Sequence, residues 1–254
     1  MQLAVAMQRP ERDLERNPGQ DPGQDKGVLH GIPLFAGAPP AAMQRVYART
    51  TCFVVPPGQI VLDFEDPTTD VLIVVEGAVR VSVQTAGGGH LRILGDFRVG
   101  EFVGEMAAID QAPRSARVES LVRSRLCIVP AGTFLAAAAE VPEIGLRIMR
   151  LLTTRIRLQT RSLLEQVALP IRLRVAAELL RIARPRSDGT LVISPPPTQE
   201  ELANRIGARR ETISRELGAL ARAGLLRRTT AAIVLTDAAA LQAAVQDCLD
   251  RRTD

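Results

Sequence analysis

The chain has 254 residues, of which 46% are hydrophobic and 24% are charged, values typical of an ordinary globular protein. These values exclude wholesale disorder, and the length favours one or two domains. No apolar run approaches the roughly 18 residues that a membrane span needs, and the N-terminal apolar stretch, Leu3 to Met7, is too short for a secretory signal. We therefore expect a cytoplasmic protein with no membrane partner.

Charge is distributed unevenly along the chain. The formal net charge is +4, yet residues 1–146 hold 13 basic and 17 acidic groups, whereas residues 147–254 hold 19 and 11. Lys26 is the single lysine, so almost every cation is a guanidinium, which suits phosphate and guanine. A GC-rich genome can also enrich arginine and alanine, but it does not explain this segregation. The basic C-terminal half predicts a polyanionic partner.

Three cysteines, Cys52, Cys127 and Cys248, are widely spaced and form no C-x-x-C motif. Cys52 and Cys127 lie within apolar, strand-like runs, so the sequence favours buried, unreactive thiols over a redox or metal role. His30 and His90 are the only histidines, which leaves almost no ligands for zinc. We expect no metal.

In chain order, residues 1–26 are polar and rich in proline and glycine, which predicts a disordered tail. From about residue 50 to 130, short β-branched runs alternate with the turn segments PPG, EDPTTD, EG and AGGG. Six or more short strands of this kind predict a sandwich or barrel. Gly87–Gly89 reads as a hairpin tip, because the G-K-[ST] continuation of a triphosphate-binding loop is missing.

From Glu143 the hydrophobic period becomes helical. Six residues follow each other at spacings of 3-4-3-4-3, a heptad seam: Met149, Leu152, Ile156, Gln159, Leu163 and Gln166. Polar glutamines inside such a seam favour a parallel homodimer through residues 149–166, and the alternative is a helix packed on its own domain. Pro170 breaks the helix and can begin the next one.

Two short segments together have the chemistry of an anion site: GEMAA at residues 104–108, and PRSA at 113–116. Gly104 allows a close approach of the backbone, and Arg114 and Ser115 supply a guanidinium fork and a hydroxyl. A carboxylate repels phosphate, so Glu105 would have to face elsewhere, for instance a ribose hydroxyl. The alternative is a strand–turn–strand with a structural Glu–Arg pair.

Residues 198–235 predict a helix-turn-helix followed by a β-hairpin. Thr198 and Glu201 have the spacing of a capping box, and Gly207 supplies the turn. The second helix would bury Ile213, Leu217 and Leu220. Its outward residues suit the major groove, although they could form an ordinary solvated face: Arg209, Arg210, Glu211, Ser214 and Arg215.

Over about residues 28–236 the chain resembles the cyclic-AMP receptor / fumarate-nitrate regulator superfamily of bacterial transcription factors. VGEMAAIDQAPRSARV resembles its phosphate-binding cassette, and TQEELANRIGARRETISREL resembles its DNA-recognition motif. The resemblance implies an α+β fold. After the tail of residues 1–26 come a cyclic-nucleotide-binding β-barrel of the jelly-roll type (27–142), a long dimerisation helix (143–169) and a winged helix-turn-helix (170–254).

The resemblance also implies roles for individual residues. Glu105 would meet the ribose 2′-hydroxyl, Arg114 and Ser115 would hold the cyclic phosphate, and backbone from Gly104, Glu105, Met106 and Ala107 would assist them. Gln159 and Thr160 would lie against the base. Thr160 matches the hydroxyl type of the family, whereas Gln159 departs from it.

In the DNA motif, Arg210, Glu211 and Arg215 match the base-contacting pattern R-E-T-x-x-R, which implies a TGTGA-like palindrome. Ser214 lies on the same face. Arg209 replaces the family's usual serine cap, and Arg209, Arg227 and Arg228 are predicted to contact DNA phosphates.

The expected partners are double-stranded DNA, a second copy of the chain and RNA polymerase. Cyclic AMP is the leading effector, and cyclic GMP, cyclic di-GMP or ligand-free DNA binding are alternatives. An iron–sulfur sensor would need N-terminal cysteines that this sequence lacks. A cyclic-nucleotide module belonging to another protein has no use for the RRETISR motif, and no arrangement of residues predicts an enzyme. An activator is expected.

Overall fold

A computed structural model describes residues 24–84 and 91–251. Most of the predicted tail and the predicted hairpin tip Gly87–Gly89 lie outside the described residues. The chain forms two compact units. The first comprises residues up to Val81 together with Gly95–Ile148, and the second comprises Ser82–Leu94 together with the residues from Met149 onward.

The first unit begins with two 3-10 helices, Gln24–Gly31 and Pro33–Phe35. The first of these helices starts inside the predicted tail 1–26, because Leu29 and Ile32 are buried and tie this segment to the core. Three α-helices follow: α1 (Pro40–Arg49), α2 (Glu105–Asp110) and α3 (Ala131–Glu140). The fourth, α4 (Pro142–Ala168), begins in the first unit and ends in the second.

Among the described residues before α4, eight strands build two four-stranded sheets. They are β1 (Thr51–Val55), β2 (Ile60–Leu62), β3 (Val71–Glu76), β4 (Ala78–Gln84), β5 (Leu91–Arg98), β6 (Phe102–Val103), β7 (Arg117–Ser120) and β8 (Ser124–Val129). One sheet has the order β1-β8-β3-β6, and the other has the order β2-β7-β4-β5.

The two sheets share one core. Phe53, Leu72 and Leu126 from one sheet and Leu62 and Val118 from the other belong to a single cluster of buried side chains. Successive side chains of a strand point to opposite faces of the sheet, so one face of each sheet supplies this cluster. The described strands therefore form two facing sheets of the jelly-roll type and not one continuously hydrogen-bonded barrel.

Cys52 and Cys127 form a disulfide, so the prediction of unreactive thiols is wrong for this pair. The two residues are directly opposite each other in the antiparallel ladder of β1 and β8, where facing side chains are close. Their separation of 75 residues along the chain concealed this proximity. Cys248 is a free thiol.

The second unit is mainly helical. It contains α5 (Ile171–Ile182), α6 (Gln199–Ile206), α7 (Arg210–Arg222) and α8 (Ala238–Asp250), with a sheet of order β11-β12-β10-β9. The strands are β9 (Arg184–Pro185), β10 (Leu191–Ile193), β11 (Leu226–Arg228) and β12 (Ile233–Leu235).

The core of the second unit joins its helices and its sheet. Leu179, Leu202, Ile213 and Leu217 lie in one buried cluster, to which α8 contributes Leu241. Helix α8 was not predicted from the sequence. In the part of the chain that the structure describes, no helix is both long and apolar enough to cross a membrane.

Candidate functional site

Arg114 is the best-anchored of the predicted ligand-binding residues. Its side chain is buried, with 3% of the residue exposed. Nε donates to Thr68 Oγ1 at 3.2 Å, Nη1 to the carbonyl of Gly104 at 2.9 Å, and Nη2 to the carbonyl of Asp70 at 2.7 Å. A guanidinium has five N–H donors, and these bonds use one on each nitrogen. The neighbouring backbone thus fixes the orientation of the guanidinium plane.

Gly104 is required beside this guanidinium. Its φ of +85° lies in the left-handed region, and an added Cβ would lie 2.6 Å from Arg114 Nη1. A larger residue would therefore displace the arginine. This geometry agrees with the prediction that Gly104 allows a close approach of the backbone.

The remaining cassette residues surround the same point. Glu105 and Ala107 are buried at the start of α2, whereas Met106 and Ser115 are exposed. The Ser115 hydroxyl donates to Met106 Sδ at 3.7 Å. With the bond from Arg114 to Gly104, this contact brings the two halves of the motif together as the sequence predicted.

The contacts between Arg114 and the loop that joins β2 to β3 were not predicted from the sequence. Besides Thr68 and Asp70, its backbone pairs with Arg114 through two hydrogen bonds of 2.9 Å, to Glu65 and Asp66. Asp66 accepts from the Thr68 amide at 2.8 Å, which shapes this turn. The polar segment EDPTTD, residues 65–70, was the sequence feature that could have indicated these contacts, but it was interpreted only as a turn.

The donor set fits a cyclic phosphodiester. A fixed guanidinium, the exposed Ser115 hydroxyl and the backbone of Gly104 and Ala107 are the groups that such a phosphate requires. Glu105 is the buried acidic neighbour that could accept from a sugar hydroxyl. Among the described residues, no group of three histidine, cysteine, aspartate or glutamate side chains is arranged to hold a metal ion.

Gln159 and Thr160 are exposed on α4, in the second unit. Thr160 Oγ1 donates to the carbonyl of Ile156 at 3.0 Å. The predicted contact of these two residues with a nucleotide base stays a prediction.

The predicted helix-turn-helix is present as α6, the Gly207 turn and α7. Thr198 and Glu201 form the capping box, with bonds of 3.0 and 3.1 Å. Gly207 ends α6 with φ +71°. Arg209 precedes α7 and makes no side-chain cap, as predicted from the missing serine.

The exposed face of α7 forms an open concavity. It is lined by Gln199, Arg210, Glu211, Ser214 and Arg215, while Ile213, Leu217 and Leu220 are buried behind it. Four of the five lining residues were predicted from sequence. Gln199, the first residue of α6, was not singled out, although its position after the cap places an amide beside the recognition face.

Arg227 and Arg228 are exposed on β11, the first strand of the hairpin that follows α7. Neighbouring residues of a strand point to opposite faces. Arg228 therefore shares the face of the buried Leu226, and Arg227 points the other way.

Comparison with known proteins finds matches for both parts of the chain. The cyclic nucleotide-binding domain family matches residues 52–140, and the Crp-like helix-turn-helix domain family matches residues 173–244. A CRP-like cAMP-activated global transcriptional regulator of Mycobacterium tuberculosis is 25% identical over 83% of this chain and 95% of its own length. A cyclic AMP receptor protein of Thermus thermophilus is 29% identical over 84% and 97%.

A solved structure shares the fold. The c-di-GMP-responsive global regulator CLP of Xanthomonas campestris aligns with a TM-score of 0.65 at 23% identity, covering 77% of this chain and 98% of its own.

The fold and both sites define a cyclic-nucleotide-responsive DNA-binding regulator. The chain carries a cyclic nucleotide-binding domain followed by a Crp-like helix-turn-helix domain, and it is similar to CRP-like transcriptional regulators over more than four fifths of its length.

Proposed function

We propose that the chain binds a cyclic mononucleotide, with cyclic AMP as the leading candidate, and that it then binds a palindromic operator as a homodimer. The observation that supports the ligand most directly is the buried Arg114 guanidinium, held against Gly104 and Asp70 by its own hydrogen bonds. A cation already oriented by the protein meets a phosphate without further ordering of its side chain. The two relatives named for cyclic AMP lend support to this effector.

Within the cassette, we assign the cyclic phosphate to Arg114, Ser115 and the backbone of Gly104 to Ala107. Glu105 would accept from the ribose 2′-hydroxyl, and Gln159 and Thr160 would contact the base. The exposed Met106 would cover one side of the bound nucleotide.

Calorimetric titration with cyclic AMP, cyclic GMP and cyclic di-GMP tests the effector. We expect heat of binding with cyclic AMP, and weaker binding of the other two. Saturable binding of cyclic di-GMP alone would replace the proposed effector, and binding of none of the three would contradict it.

For DNA, we propose that Arg210 and Arg215 each contact a guanine and that Glu211 accepts from a cytosine. All three lie on the exposed face of α7, with Ser214 and Gln199 beside them. The expected half-site resembles TGTGA, repeated about one helical turn apart to match a two-fold dimer. Arg209, Arg227 and Arg228 would contact phosphates.

Selection from random duplex DNA tests this assignment. We expect a TGTGA-like palindrome for the wild type, and a relaxed preference at one symmetric position for Arg215→Ala. Arg228→Ala should weaken all sequences alike and flatten the salt dependence. A selected site without this palindrome, or an unchanged preference in Arg215→Ala, would refute it.

We further propose that a second copy of the chain covers the exposed apolar stripe of α4, which includes Met149, Ile156 and Leu163. We also propose that the complex recruits RNA polymerase as an activator. The protein would act in the cytoplasm, where bacterial DNA is accessible. The apolar side chains Met149, Ile156 and Leu163 are 58 to 65% exposed in the single chain, which argues against their packing on their own domain. A second chain would bury them.

A further inference from the structure

A cluster of arginines surrounds two buried glutamates within the second unit. It contains four guanidinium groups and two carboxylates, from Arg92, Arg174, Arg181, Arg205, Glu165 and Glu178. These residues come from β5, α4, α5 and α6. Arg161 of α4 also pairs with Glu165, so the formal charges of these five arginines and two glutamates leave an excess of three positive charges.

The two carboxylates are paired with several arginines, and Arg161 Nε donates to Glu165 Oε1 at 3.2 Å. Arg181 forms ion pairs with both Glu165 and Glu178, and Arg205 Nη1 lies 3.7 Å from Glu178 Oε1. Both glutamates are buried, with side chains 6 to 7% exposed. The available negative charge is therefore already shared.

Arg174 and Arg92 also line the cavity. Arg174 Nε is buried and has no hydrogen-bond partner among the described residues. Arg92 lies against the turn of the helix-turn-helix, because a side-chain carbon added to Gly207 would collide with Arg92 Nη1. Burial lowers the pKa of the Arg92 guanidinium; Glu178 opposes this shift, and Arg174 and Arg181 add to it. Removing charged groups from water is costly unless opposite charges pair with them.

The space among these groups is small. The cavity has a volume of about 10 Å³, which is room for about one water-sized oxygen. Ser162 and Gln166 of α4 also line it and add a hydroxyl and an amide. One oxygen of an oxyanion could enter, while the remaining oxygens stay at the mouth beside the guanidinium groups.

We propose that this cavity binds a dianionic phosphate group, such as that of a phosphomonoester. The excess of positive charge favours an anion with two negative charges, whereas a cyclic phosphodiester carries one. Guanidinium groups pair with phosphate oxygens through short, charge-assisted hydrogen bonds. The site uses none of the cassette residues, so it does not depend on the proposed effector. A bound phosphate would link the segment around Arg92 to the turn at Gly207.

Titration of the full chain with inorganic phosphate at mildly alkaline pH tests the site. Sodium chloride of equal ionic strength serves as the reference, and calorimetry and the thermal unfolding midpoint are the readouts. We expect saturable binding and a rise in the midpoint for the wild type. Arg174→Gln and Arg92→Gln should each bind phosphate at least about tenfold more weakly, since a charge-assisted bond contributes about 1.5 kcal/mol or more.

Arg150→Gln removes an exposed arginine of α4 and the same formal charge, and it should bind phosphate like the wild type. If Arg174→Gln does not fold, the phosphate affinity of Arg92→Gln tests the proposal, because Arg92 lies on a different element. Equal binding in wild type and Arg92→Gln, or no binding above the chloride reference, would overturn the proposal.

Two further measurements distinguish this cavity from the cassette and from a contact with the DNA backbone. Arg114→Gln should keep phosphate binding, and its loss there would locate the anion in the cassette instead. If free phosphate does not bind, but Arg174→Gln flattens the salt dependence of operator binding, the cluster serves the DNA backbone and the proposal fails.

Discussion

The Arg114 side chain donates to Thr68 Oγ1 and to the carbonyls of Gly104 and Asp70, so it supports the local fold as well as the proposed ligand site. Replacing it with alanine would leave the carbonyls of Gly104 and Asp70 without this donor. It would also remove the cation that is placed to neutralise a buried phosphate. Both consequences follow from one side chain, and they can be measured separately.

We expect Arg114→Ala to weaken cyclic-nucleotide binding by at least about 100-fold, because removal of one partner of a buried ion pair costs about 3–5 kcal/mol. The free energy of unfolding should fall by about 1–3 kcal/mol for the acceptors left unpaired. Calorimetry and urea denaturation measure the two effects. Arg123→Ala, an exposed arginine of the same unit, should change neither. Equal nucleotide affinity in the two variants would contradict the site.

The disulfide between Cys52 and Cys127 closes a long loop, with 75 residues of sequence separation. On the chain-entropy estimate, a cross-link of that length stabilises the folded state by about 4 kcal/mol. We expect urea denaturation with a reductant to show a loss of about that size. Cys127→Ser should no longer respond to reductant, and Cys248→Ser should respond like the wild type. A wild type insensitive to reductant would contradict a stabilising cross-link.

At the level of elements, α4 carries a stripe of exposed apolar residues along one side. Val167 is 74% exposed and lies 18 residues, or about five turns, after Met149, so the two share an azimuth. Thr160 lies close to the same line. Gln166 instead lines the arginine cavity of its own chain. These positions favour a seam through Met149, Ile156, Thr160, Leu163 and Val167, with the two predicted glutamines at its edge.

Charging this stripe should separate the dimer. Val167→Glu and Ile156→Glu would each place unpaired charges at the two-fold interface, so we expect monomer in sedimentation velocity. Leu158 is also exposed, but it lies nine residues, or about two and a half turns, from Met149 and thus on the opposite side. Leu158→Glu should remain dimeric. A dimeric Val167→Glu variant would place the interface elsewhere.

The uncapped start of α7 is a second feature at this scale. Arg209 occupies the cap position without capping it. We expect Arg209→Ser to raise the free energy of unfolding by about 1 kcal/mol, because a serine there can accept from the helix backbone. Operator affinity should fall and the salt slope should drop by about one, since a phosphate contact is lost. Unchanged operator affinity would show that Arg209 does not contact DNA.

For the whole molecule, the sequence predicted those features that local patterns determine. The capping box at Thr198, the buried face of α7 and the alternating strands each follow from spacing within a few residues. Features that depend on contacts between distant segments were missed. The pairing of Cys52 with Cys127, the acceptors that Thr68 and Asp70 offer to Arg114, and the arginine cluster all join residues far apart in sequence.

The cassette residues Gly104 to Ser115 lie in the first unit and the helix-turn-helix lies in the second, so the proposed response to a nucleotide requires an equilibrium that both influence. Helix α4 begins in the first unit and ends in the second at Ala168, before the break at Leu169 and Pro170. A nucleotide can shift this equilibrium only as far as it binds one state more tightly than the other. Contacts of Gln159 and Thr160 with the base would supply that difference, because they lie on α4 itself.

We therefore expect cyclic AMP to raise operator affinity by about 5- to 150-fold, the usual range of such coupling, in mobility-shift titrations with a TGTGA-like palindrome. Arg114→Ala should bind the operator at the ligand-free level with or without cyclic AMP, because it loses the nucleotide and keeps α7 intact. Arg215→Ala should lose preference for the palindrome in both conditions while it still binds cyclic AMP. Identical operator affinity of the wild type with and without nucleotide would refute the coupling, even if both sites bind their ligands separately.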